Sequence, residues 1–179
     1  MNNFIGFIFL EEKYSLCYII IIRGKNMSYL KASEHLKKYN LEDRIILFPV
    51  LTSTVREAAE ALNCTDGEIA KSLAFIINDN PILVIAAGDK KIDNAKYKQE
   101  FGVKAKMISF DLVEEIIGHP AGGVCPFGVN DNVKVYLDES LKDYEIVYPA
   151  CGTHNSAVKL KIFEIERASN YIKWVNVCK

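Results

Sequence analysis

Residues 118–128 read Gly-His-Pro-Ala-Gly-Gly-Val-Cys-Pro-Phe-Gly, with four glycines and two prolines in eleven positions. A helix-like stretch precedes this run and a strand-like stretch follows it. Glycine allows positive φ and close approach of the backbone to a ligand. Proline fixes φ and removes a donor. A loop rich in both holds its N–H groups away from any ladder, where they can point at a bound group, or else serves as a long turn. A second small-residue loop, Pro149-Ala150-Cys151-Gly152-Thr153-His154-Asn155-Ser156, lies further along. Along the chain helical and extended segments are interleaved irregularly, which predicts one α/β domain with a mixed, strongly curved sheet.

Working outward, Asp111 with Glu114 three residues on predicts a capped helix to Ile117, and Val133–Leu137 predicts a strand. The clearest pairing is upstream. Leu73–Ile77 and Ile82–Ala87 are apolar runs around Asn78-Asp79-Asn80-Pro81, the pattern of a hairpin. Before it, Thr54-Val55-Arg56-Glu57 is a capping box opening a helix with inner face Val55, Ala58, Ala59 and Leu62. Thr65-Asp66-Gly67-Glu68 is a second, predicting a short helix through Ile69 and Ala70. Further helices are expected over Ser28–Tyr39, Ile92–Phe101 (stopped by Gly102) and Phe163–Ala168. Strands are expected at Ile45–Val50, Lys104–Ile108, Glu145–Tyr148, Ala157–Ile162 and Tyr171–Val177.

The chain has 179 residues, half of them hydrophobic and a quarter charged, with net charge −1. That suits one domain with a sizeable core. It leaves no global basic field for wrapping nucleic acid, so such a partner must be met locally. Five scattered cysteines without C-x-x-C point to reduced thiols and a cytoplasmic setting. Residues 1–26 look foreign to the rest. Their apolar runs are broken by Glu11-Glu12-Lys13, too short to span a bilayer, and lack a signal-peptide pattern. The domain is therefore expected over 27–179, with Met27 as the native start and no membrane partner.

No phosphate-binding P-loop, dinucleotide fingerprint, zinc-protease motif or serine-hydrolase elbow is present. His35 is expected on the wet side of its helix. His119 and His154 share the two loops with Cys125 and Cys151. A Cys2His2 metal site has the wrong spacing for a standard knuckle. Cys125 with a histidine base is a possible nucleophile, against a plain buried thiol. Lys71 stands before an apolar strand. It either snorkels at the sheet edge or places a cation at a pocket rim.

Three blocks together resemble the YbaK/prolyl-tRNA-synthetase-associated editing family. They are Thr54–Phe75 with Ile69-Ala70-Lys71-Ser72-Leu73, the run Gly122-Gly123-Val124-Cys125-Pro126-Phe127-Gly128, and Tyr148–Leu160 with Gly152. The resemblance runs in order from Tyr29 to the C-terminus. It differs at Cys125, often serine in the family, and at Thr153-His154-Asn155, often a basic glycine-rich turn. It implies a strongly curved, barrel-like mixed sheet flanked by helices. It also implies metal- and cofactor-free hydrolysis of the ester on a mischarged tRNA, with the tRNA 3′ end and a synthetase as partners. A non-catalytic paralogue that only binds aminoacyl-tRNA or an amino acid is the alternative. By the same resemblance Lys71, Gly122 and Gly123 are catalytic, Lys71 holding the terminal nucleotide and the Gly122–Gly128 N–H groups an oxyanion. Phe48, Ser72, Val124, Cys125, Pro126, Phe127, Gly128, Gly152, Thr153, His154 and Asn155 would bind substrate.

Overall fold

The computed structural model describes residues 27–52 and 54–179. The expected foreign segment and the Met27 start concern residues outside this range or at its edge. Among the described residues are five α-helices: α1 (Met27–Lys37), α2 (Val55–Leu62), α3 (Asn94–Phe101), α4 (Phe110–Ile117) and α5 (Ile162–Ala168). The strands are β1 (Ile45–Leu47), β2 (Ile69–Ile77), β3 (Asn80–Ala87), β4 (Lys134–Asp138), β5 (Ile146–Pro149), β6 (Ser156–Val158), β7 (Leu160–Lys161) and β8 (Trp174–Val175).

The hairpin β2–β3 is the spine. Its turn is Asn78-Asp79, with φ of 48° and 63°, the doubly left-handed turn that matches strand twist. Antiparallel pairing runs from Ile77↔Asn80 back to Ala70↔Ala87. The sheet order is β7-β5-β2-β3-β4-β8, with β2–β5, β3–β4 and β4–β8 parallel. A separate antiparallel pair, β1–β6, continues the curl through the Ala150↔Ala157 bridge to the end of β5. The result is the single mixed, strongly curled half-barrel expected.

Alternation divides β3 between two cores. Leu83, Ile85 and Ala87 join Leu36, Ile117, Phe127 and Ile165 under α1, α4 and α5. Ile82, Val84 and Ala86 join Phe75, Tyr97 and Val177 under α3. Each large apolar side chain so buried contributes about 1.5–3 kcal/mol, which is why the hairpin carries the rest.

The capping box at Thr54 forms: its hydroxyl accepts from Glu57 N at 3.2 Å, and Glu57 accepts from Thr54 N at 3.1 Å. Asn63 ends α2 at φ 51°. The second box closes only a 3-10 turn, Asp66–Glu68. Ile69 and Ala70 belong to β2, because pairing with β3 and β5 outweighs a one-turn helix. Ser109, not Asp111, is the residue before α4. Lys104–Ile108 makes an isolated bridge at Met107 and two backbone bonds to β2, not a full strand. His35 is half-buried rather than solvated, with Nε2 2.7 Å from Ala168 O, while Leu30 is exposed. No helix among the described residues is long and apolar enough to cross a membrane.

Candidate functional site

A cavity of about 390 Å³ opens on one face of β2. Its floor is Ala70, Ser72 and Ala74, alternate residues that share that face. Small side chains there leave the volume that Leu or Ile would fill. Val55, Ala58 and Leu62 of α2 form one wall, so the apolar face of this short helix is turned to the cavity. Ala121, Gly122 and Val124 form another, Thr153 and Ser156 a third, and Phe48 and Thr52 a fourth.

The two small-residue loops meet through glycine. A Cβ on Gly123 would stand 2.7 Å from Gly152 C and O, and one on Gly122 would run into the His154 ring. Gly152 and Gly128 in turn lie against the α1 backbone at Ser28 and Lys31. The second loop is tied to the segment before α2. Thr52 N and Oγ1 both donate to His154 O, and Asn155 exchanges bonds with the Phe48 backbone. The Ser156 hydroxyl donates to Cys151 O at 2.9 Å.

Polar groups at the site sort into spent and unspent. Gly123 N donates to Pro120 O at 2.9 Å, so it is not free for a ligand. Among the described residues, Gly122 N and Val124 N have no hydrogen-bond partner, and both residues line the cavity. Among the described residues Ser72 Oγ, too, is buried without a partner. Lys71 lies in the cavity wall, but its ammonium donates to Gly88 O at 2.9 Å and to Lys90 O. Burial holds its pKa below the usual lysine value.

His119 is not a base or a ligand in waiting. Nε2 faces Phe127 O at 2.7 Å, which can only accept, so the proton sits on Nε2. Nδ1 therefore accepts from Ser28 Oγ at 2.6 Å. Burial pushes its pKa down to about 4. Cys125 Sγ is 3.5 Å from the already protonated Nε2 and, fully buried, is pushed up to about 12. Neither the Cys–His nucleophile nor the Cys2His2 arrangement is assembled. Among the described residues, no group of three or more His, Cys, Asp or Glu is placed to hold a metal ion.

Comparison with known proteins bears on this arrangement. The aminoacyl-tRNA editing domain matches residues 50–168. The chain belongs to the aminoacyl-tRNA editing domain family. The uncharacterized protein YwhH of Bacillus subtilis (strain 168) is 45% identical over 154 residues, covering 86% of this chain and 98% of that one. The proline–tRNA ligase of Shouchella clausii (strain KSM-K16) is 34% identical over 104 residues, covering 58% of this chain but 18% of the ligase. A crystal structure of a candidate trans-editing enzyme for prolyl-tRNA synthetase superposes with TM-score 0.78 at 26% identity, covering 86% of this chain and 98% of that one.

Within this editing domain the expected site residues separate into two groups. Phe48, Lys71, Ser72, Gly122, Val124 and Thr153 line the cavity. Cys125, Pro126 and Phe127 do not; they are buried in or beside the core under α1. Gly128 and Gly152 pack on α1, and Gly123 packs on Gly152. His154 and Asn155 stand behind the wall, through the contacts to Gly122, Thr52 and Phe48. Among the lining residues the sequence reading missed are Ala70 and Ala74 of the floor and Phe110. The alternation of small residues along Ala70-Lys71-Ser72-Leu73-Ala74 was the available signal for the first two.

Proposed function

We propose that this editing domain is a free-standing aminoacyl-tRNA deacylase, hydrolysing the ester between a wrongly attached amino acid and the terminal ribose of a tRNA. The observation that carries the reading is the pair of unpartnered backbone donors, Gly122 N–H and Val124 N–H, on residues that line a cavity of amino-acid size. In this reading they receive the ester carbonyl and stabilise its developing oxyanion. Removal of one such donor elsewhere costs about 10²–10³ in rate. Among the described residues the cavity wall carries no carboxylate and no imidazole. Proton transfer is therefore assigned to the substrate's vicinal ribose hydroxyl. Water oxygen bonds to the carbonyl carbon, the bond from carbon to the ribose oxygen breaks, that oxygen takes one of the water's protons by way of the vicinal hydroxyl, and the other proton goes to solvent. The amino acid leaves as a carboxylate.

Lys71 keeps a third N–H beyond the two it gives to Gly88 and Lys90, and this donor is assigned to the terminal nucleotide. The likeness to a segment of prolyl-tRNA ligases supports tRNA for proline as the substrate class and a synthetase as the partner that delivers it.

The test is release of amino acid from a panel of tRNAs, each carrying a non-cognate residue. At least one is expected to be cleaved, and Lys71→Ala is expected to lose most of that turnover. It also loses stability, about 1–3 kcal/mol, because two turn carbonyls lose their donor; turnover is therefore compared per folded molecule. The bare wall equally favours a second reading, a module that binds charged tRNA without cleaving it. Tight binding with no release from any member of the panel would establish that reading instead.

A further inference from the structure

The segment joining α3 to α4 leaves more exposed at the cavity mouth than the fold needs. Phe110 is 75% exposed and Met107 61% exposed, yet both line the cavity. Lys104 and Lys106 are exposed on the same segment and make no ion pair among the described residues. The segment is held in place by Ile76 N donating to Lys106 O and Ile108 N to Ala74 O. Its position relative to the cavity is therefore set by β2, the strand that forms the floor.

The elements that contribute to the cavity wall carry uneven charge. α2, on another wall, exposes Glu57 and Glu60, and its Arg56 is paired with Glu60 at 3.1 Å. α4 beyond Phe110 exposes Asp111, Glu114 and Glu115. A polyanion approaching the mouth is repelled from both helices and meets unpaired positive charge at Lys104 and Lys106. An exposed aromatic ring on the same segment as two unpaired lysines is the chemistry that holds single-stranded nucleic acid: the ring stacks a base and the ammonium groups meet phosphates.

We infer that Lys104–Phe110 is the docking surface for the single-stranded 3′ end of the RNA, with the terminal base stacked on Phe110 and the preceding phosphates on Lys104 and Lys106. This rests on the deacylase reading for what enters the cavity, and it names the residues that grip the strand outside it. With a net charge of −1, such local contacts must supply the affinity.

The test is fluorescence anisotropy with a labelled single-stranded RNA ending in CCA, carrying no amino acid, on the full chain. Phe110→Ala is expected to weaken binding on the order of 10-fold or more, and Phe110→Trp to retain it. Lys104→Gln with Lys106→Gln is expected to lower the slope of log K against log salt by about 1.4. Phe163→Ala, which removes a 58% exposed ring on α5, is expected to leave binding unchanged. Circular dichroism checks that each variant is folded. Wild-type affinity in folded Phe110→Ala overturns the inference, as does equal weakening by Phe163→Ala or no binding of the RNA by the wild type. Failure of the deacylase reading gives a different result, an uncleaved panel of charged tRNAs while Phe110-dependent RNA binding persists.

Discussion

His119 shows how one residue can resemble chemistry and serve structure. It bridges Ser28 at the start of α1 and Phe127 in the glycine loop, and it is buried neutral with a pKa near 4. The unfolded chain takes up this proton near pH 6.5, whereas the native state resists until about pH 4. Between those values the unfolded state binds more protons, so the stabilisation is complete above about pH 6.5 and is lost as pH falls toward 4. The loss from this group reaches about 3 kcal/mol. Urea midpoints measured from pH 7.5 to 4.5 are expected to fall, and His119→Gln to flatten the decline; an equally steep decline in that variant would place the acid sensitivity elsewhere. Gly123 is a second such residue. Its N–H is spent on Pro120 and its α-carbon faces Gly152, so Gly123→Ala is expected to cost about 1–3 kcal/mol by overpacking. A melting temperature equal to wild type would show that the two loops do not touch there.

At the scale of elements, α2 is a short helix whose apolar side walls the cavity instead of filling a core. Only Ala59 is fully buried, so little packing fixes its ends, and the capping box matters more than usual. Thr54→Ala is expected to destabilise the protein by about 1 kcal/mol. Because Thr54, Val55 and Ala58 line the cavity, KM for the cleaved substrate should rise more than kcat falls. Unchanged kinetics with the expected loss of stability would mean that the first turn of α2 is not part of the binding surface. The hairpin, the box at Thr54 and the glycine stop of α3 were legible in the sequence because each depends on neighbours a few residues apart. The extra length of β2 was not. Glu68 closes on Thr65 N at 2.8 Å as a helix start would, but partner strands on both sides of Ile69–Ala70 make the strand the better continuation.

At the scale of the whole molecule, α1 backs both loops. Gly128 and Gly152 rest on its main chain, and Leu36 is fully buried in the core beneath. Leu36→Ala is expected to cost about 2–5 kcal/mol, and turnover per folded molecule to fall as the loops loosen. A stability loss with unchanged turnover would show that α1 supports the fold without setting the loops. The sequence by itself determined the α/β class, the β2–β3 hairpin, the capped start of α2, and the glycine-rich run as an irregular loop between a helix and a strand. These follow from alternation, capping and φ preference, which act over a few residues. Only the tertiary structure decided that Gly122 and Val124 face the cavity while Cys125, Pro126 and Phe127 turn to the core. It alone decided that the Lys71 ammonium rests on Gly88 and Lys90, and that His119 is spent on Ser28 and Phe127. An irregular loop has no period to say which side is inside; that is set by whatever distant segment packs against it, here α1.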